Sequence, residues 1–153
     1  MNTVPDHWNR HAQQWQWIGR PLRPGEEDIQ AAGLAVVKRA HRLFEDRGYE
    51  AKLLVAALRG TWHMTALAGG DMIISIHPGW QKALLETAVD REEGIRNPIS
   101  RPALSRLAKV PEFIKSFAPK GLSESEMMPF GPTQRTLSQF IESGWRKLEQ
   151  LKL

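Results

Sequence analysis

The sequence predicts an α/β protein with a parallel sheet. One stretch carries that prediction: KLLVAALRGTWHMTALAGGDMIISIHP, residues 52–78. Two runs within it, Lys52–Leu58 and Met72–Ile76, are almost continuously apolar, as strands buried on both faces must be. Between them Thr61 can cap a short helix whose Met64, Leu67 and Ala68 fall at helical spacing, and Gly69-Gly70 stops it. Strand, helix and strand in this order form the crossover unit of a parallel sheet with both sides covered. A single charge, Arg59, stands at the downstream end of the first strand.

The remaining elements follow in chain order. Residues 1–20 form a polar leader with three of the six tryptophans, among them Trp8, Trp15 and Trp17, set between histidines, amides and two arginines. Aromatics interleaved with bases can stack on and neutralise a single-stranded nucleic acid. His7 and His11 have the four-residue spacing that presents two metal ligands on one helix face, but no acid or third ligand completes the set. The leader is therefore expected to be poorly ordered up to about Trp17, and no metal site is assigned. Pro21–Gly25 is a break. Glu26, Glu27 and Asp28 then place negative charge where a helix dipole favours it, and Gly48 supplies a stop. Between them Ile29, Ala32, Val36, Val37, Ala40, Leu43 and Phe44 make the apolar stripe, with Lys38, Arg39 and Arg42 on the polar side and His41 at its boundary.

Downstream of the second strand, Pro78–Ala88 reads as a helix with proline in its first turn. Residues 90–102 read as a solvated connection. Helical pieces are expected at Ala103–Lys109 and Pro111–Phe117, and Ser123 with Glu126 stands in capping-box register. Pro132–Leu153 reads as a long amphipathic helix whose Leu137, Phe140, Ile141, Trp145, Leu148 and Leu151 are expected to be core.

Composition narrows the functional classes. The chain has 153 residues, 41% hydrophobic and 25% charged, which suits one globular domain and excludes wholesale disorder. No apolar run approaches the roughly 20 residues that span a bilayer, and the N-terminus lacks the pattern of a secretory signal. The absence of cysteine rules out disulfides and thiolate chemistry and fits the cytoplasm. A net charge of +4 favours phosphorylated partners, although 17 acids are interspersed among 21 bases.

Four segments, taken together, resemble the C-terminal part of the transaldolases. Ile18-Gly19-Arg20 resembles the "VGR" closing that family's sixth barrel strand. YEAKLLVAALRGT resembles the seventh strand with its arginine-containing turn. ALAGGDMIISIHPGWQ resembles the "LAG-D" turn, the eighth strand and the Trp-Gln helix of one subgroup, and MPFGPTQRTLSQFI resembles that subgroup's closing helix. The resemblance runs from about Ile18 to the end and implies the last three strands of a (β/α)8 barrel, residues 21–153, with C-terminal helices. Such enzymes transfer a dihydroxyacetone unit between sugar phosphates through a lysine Schiff base, as in the pentose phosphate pathway, and need no cofactor.

By motif, the two phosphate-binding arginines of the family fall on Arg20 and Arg59, with Trp17 and Ala57 lining the pocket. Ala57 and Gly60 stand where the family has serine and asparagine. The Schiff-base lysine belongs to a strand that would precede Met1, and Lys52 is at the wrong end of its strand, so no catalytic residue is assigned. The resemblance implies a barrel piece, inactive alone, that binds a sugar phosphate. Its open sheet edges are expected to take a complementary half or a second copy. The competing reading is a small basic module that contacts nucleic acid through the Trp- and Arg-containing leader.

Overall fold

The computed structural model describes residues 25–89 and 92–151. Its elements run α1 (Glu26–Arg47), β1 (Leu53–Val55), α2 (Thr61–Leu67), β2 (Met72–Ile74), α3 (Pro78–Glu86), α4 (Arg101–Leu107), α5 (Pro111–Phe117), α6 (Glu124–Met127) and α7 (Gly131–Phe140). A π-helical turn (Ile141–Trp145) and α8 (Arg146–Glu149) follow. The described residues resolve into two compact units, divided after Phe113 within α5.

In the first unit α1 begins and ends where local chemistry requires. Three acids occupy its first turn, Asp28 Oδ2 accepts the Gly25 N–H at 3.0 Å, and Gly48 closes it in the left-handed region at φ 60°. That conformation costs an L-residue about 1–2 kcal/mol and glycine little. Asp28, 1% exposed, also takes a two-pronged grip from Arg106 of α4, Nε to Oδ2 at 2.7 Å and Nη2 to Oδ1 at 2.8 Å. The Arg106 bonds hold the Asp28 carboxyl below its ordinary range, against burial that pushes it up, and the Gly25 N–H adds to the lowering. One surface-linked ion pair therefore ties the start of α1 to α4.

β1 and β2 pair in parallel, Leu53 with Met72, Leu54 with Ile73 and Val55 with Ile74. One face of this pair joins the core: Val55, Met72 and Ile74 pack against Leu34 of α1, Leu67 of α2 and Ile95 of the loop before α4. The β1–α2–β2 crossover and its parallel pairing are as the sequence predicts. The helix between starts one residue after Gly60, its N-cap, and the Gly69 that follows it has φ 83°.

The expected barrel portion is not formed. Among the described residues the sheet has two strands of three residues each, and the other regular elements are helices. Two local reasons are visible. The strand ends at Val55, short of the end of its apolar run at Leu58, and Ala57 at φ 58° turns the chain away from the ladder. The second face is bare as well: Leu54 is 63% and Ile73 53% exposed, where a doubly covered sheet would bury both. No third strand pairs with either outer edge among the described residues.

The second unit is built from short helices. Ser123 N–H donates to Glu126 Oε2 at 2.9 Å, as the capping register predicts. The stripe expected to be core is instead on the surface, with Phe140 71% and Trp145 64% exposed and Leu137, Ile141, Leu148 and Leu151 also open. The helix that carries it is interrupted by the π turn at Ile141–Trp145, and no other described element of this unit covers it.

Candidate functional site

Parallel pairing brings the C-terminal ends of β1 and β2 to the same edge of the sheet. Ser75 N–H continues the ladder to the Val55 carbonyl at 2.8 Å, so residues 56–59 and 75–77 leave the sheet side by side. In parallel α/β units ligands gather at this edge, where the loops after the strands converge.

The turn after β1 is shaped residue by residue. Ala57 adopts its left-handed conformation, Leu58 is buried as an anchor, and Arg59 is exposed at the apex. Gly60 has no room for a side chain, because a Cβ there would lie 1.8 Å from the Trp62 ring that covers it. Arg59 N–H donates to His63 Nδ1 at 3.0 Å. A neutral His63 must then carry its proton on Nε2, leaving an N–H donor on the far side of the ring. Burial lowers the His63 pKa, and the positive charge of Arg59 lowers it further. The Trp62 and His63 rings lie 5.4 Å apart, centroid to centroid.

Beside this turn, His77 caps α3, its Nδ1 accepting the Gly79 N–H at 3.1 Å, while Gln81 Nε2 donates to the Ile76 carbonyl at 2.8 Å. His77 is thereby held, like His63, with Nδ1 as the acceptor. One permanent cation and two imidazoles with fixed Nδ1 acceptors thus occupy the C-terminal edge. A guanidinium fork and N–H donors suit an oxyanion such as a phosphate ester.

Of the residues singled out by sequence, Arg59 follows β1 at this edge and Ala57 forms the strained part of the same turn. Arg20 and Trp17 lie outside the described residues, as do His7, His11 and the rest of the leader on which the nucleic-acid reading rests. Lys52 is at the opposite, N-terminal end, in an exposed ion pair with Asp71. His63 and His77 were missed by sequence reasoning. A signal existed for each: His63 stands four residues beyond Arg59 on the short helix, and His77 directly precedes the Pro78 that opens α3.

Among the described residues no group of three or more His, Asp or Glu side chains could hold a metal ion. No helix among them is long and apolar enough to cross a membrane. Comparison of the chain with known protein families, with curated proteins and with solved structures finds no match.

Proposed function

We propose that this chain binds sugar phosphates through Arg59 and is related to the transaldolases, without carrying out their transfer reaction alone. The observation that supports the reading is the turn at residues 57–63: a strained Ala57, a cation at the C-terminal end of a parallel strand, and a histidine kept neutral beside it. Backbone strain held by surrounding structure is concentrated at ligand-binding turns, and a phosphate there would exchange hydration for a charge-assisted fork of hydrogen bonds. Neutral His63 adds a donor without adding a charge that needs a counter-ion.

Transfer of a dihydroxyacetone unit requires an amine that forms and hydrolyses an imine, and positioning of the substrate does not replace that nucleophile. Lys52, bound to Asp71 at the far end of the sheet, is not that amine. The reading is tested by calorimetric titration of fructose 6-phosphate into the chain and its Arg59→Ala variant. Binding that weakens at least about tenfold, on the order of 1.4 kcal/mol, is expected; equal affinity would remove Arg59 from the site.

A further inference from the structure

A polar cavity of about 120 Å³ lies at the other end of the sheet, lined by Lys38, His41, Arg42 and Glu45 of α1 and by Ile95 and Arg96 of the loop before α4. The four α1 residues recur at three- and four-residue intervals and so share one face of that helix. The loop is pinned against them. Ile95 N–H donates to the Ala68 carbonyl at 3.0 Å, and Lys38 Nζ donates to the Gly94 and Asn97 carbonyls at 2.7 Å each. Gly94 packs so closely on α2 that a Cβ there would meet the Thr65 carbonyl at 2.1 Å. The cavity wall is thus rigidly built.

The charges around it are not balanced. Among the described residues that line it, Lys38, Arg42 and Arg96 face a single carboxylate, Glu45. That carboxylate is divided between His41 Nδ1 at 3.3 Å and Arg96 Nη2 at 3.5 Å, both long contacts. His41 Nε2 accepts the Asp71 N–H at 3.1 Å, so its proton sits on Nδ1, toward Glu45. Lys38 is buried, yet its ammonium bonds only neutral carbonyls and forms no ion pair among the described residues. Two of its three N–H groups are used by those carbonyls. Arg42 makes no ion pair among the described residues, and its side chain is exposed at the mouth. Buried charge is ordinarily matched by an opposite one.

We propose that this cavity is a binding site for a phosphate group, with Lys38, Arg42 and Arg96 as its ligands. The excess of cations selects an anion over a metal ion. The volume is several times what a single water needs and leaves room for a tetrahedral oxyanion. The third Lys38 N–H supplies an inner donor, and Arg42 and Arg96 close over the outer oxygens. The charge of a bound anion also offsets the burial that now pushes the Lys38 pKa down. The site is independent of the Arg59 turn: His41 reaches it through Asp71, the residue before β2, at the opposite end of the strands.

The test uses the full chain and inorganic phosphate against chloride at matched ionic strength, read by backbone amide NMR shifts and by calorimetry. Lys38 is structural in the loop, so the variant is Arg42→Gln with Arg96→Gln, both exposed residues whose replacement leaves the core intact. Expected are saturable shifts at residues 94–97, weakened at least about tenfold in the double variant and unchanged in Arg59→Ala. Three results would overturn the proposal: no shifts at residues 94–97, shifts there that survive the double variant, or shifts confined to residues 57–63. The last belongs to the Arg59 turn and leaves that reading standing.

Discussion

Replacing Asp28 by asparagine isolates the charge of the ion pair that joins α1 to α4. The side chain keeps its shape, and the asparagine oxygen can still accept the Gly25 N–H seen at 3.0 Å. What is lost is the charge facing the two Arg106 donors at 2.7 and 2.8 Å, and with it the acceptor for one of them, since the amide nitrogen can only donate. Breaking a fully buried pair by removing one partner costs about 3–5 kcal/mol. Here Asp28 is buried while the Arg106 side chain is 45% exposed, so the guanidinium left behind regains water. The expected loss is therefore lower, about 2–3 kcal/mol, in line with charged hydrogen bonds. The effect has a definite pH dependence. The folded-state carboxyl titrates below its unfolded value, so its contribution is fully present above the unfolded pKa and disappears as pH falls through the folded one. Urea unfolding of both proteins at pH 7, and at the lowest pH that keeps both folded, measures this directly. The gap should be about 2–3 kcal/mol at pH 7 and shrink toward zero in acid. A gap below about 0.5 kcal/mol at pH 7, or one that persists in acid, would refute the reasoning.

Three further outcomes are expected. Ala57→Gly relieves a left-handed alanine at a larger gain than its added unfolded-state entropy, and should raise stability by about 0.5–1 kcal/mol in the same assay; a net loss would show that the turn is not strained. His63 titrates below its unfolded value near 6.5, so the unfolded state binds more protons, and stability is full above that value and falls as pH drops below it. His63→Gln should flatten that fall, and a sugar phosphate on Arg59 should raise the His63 pKa in an NMR titration; an unmoved pKa contradicts a shared site. Borohydride reduction in the presence of fructose 6-phosphate should leave the intact mass of the chain unchanged while marking a complete transaldolase control, and an adduct would mean that the chain carries its own reactive lysine.

The parts of this molecule that were legible in the sequence are those decided by neighbours along the chain. Glu26, Glu27 and Asp28 open α1 and Gly48 closes it, Pro78 starts α3, and Ser123 with Glu126 opens α6. The parallel β1–α2–β2 crossover was legible for the same reason, because a short helix between two apolar runs leaves little other choice. What distant partners decide was not. Lys38 reads as part of a polar face with Arg39 and Arg42, yet it is buried because carbonyls 56 and 59 residues away receive its ammonium. His41 reads as a boundary residue and is buried against Asp71 and Glu45. Asp28 reads only as a dipole charge, although Arg106, 78 residues on, is its main partner.

The strand lengths and the barrel failed for a different reason. An apolar run reports what a segment could bury and not whether a layer arrives to cover it. The outward residues of β1 and β2 and the stripe from Leu137 to Leu151 find no cover among the described elements of their own units. The candidate site divided the same way. Arg59 was found from its position after a strand, whereas the tautomer of His63 depends on a hydrogen bond, and its lowered pKa on burial and the nearby Arg59 charge, that only the folded turn creates.

The most direct measurement is the affinity of the chain for fructose 6-phosphate by calorimetry, with and without Arg59→Ala. Saturable binding that drops at least about tenfold in the variant is the result expected of a phosphate held at the C-terminal edge of the parallel pair. The same affinity in both proteins, or none in either, would contradict it.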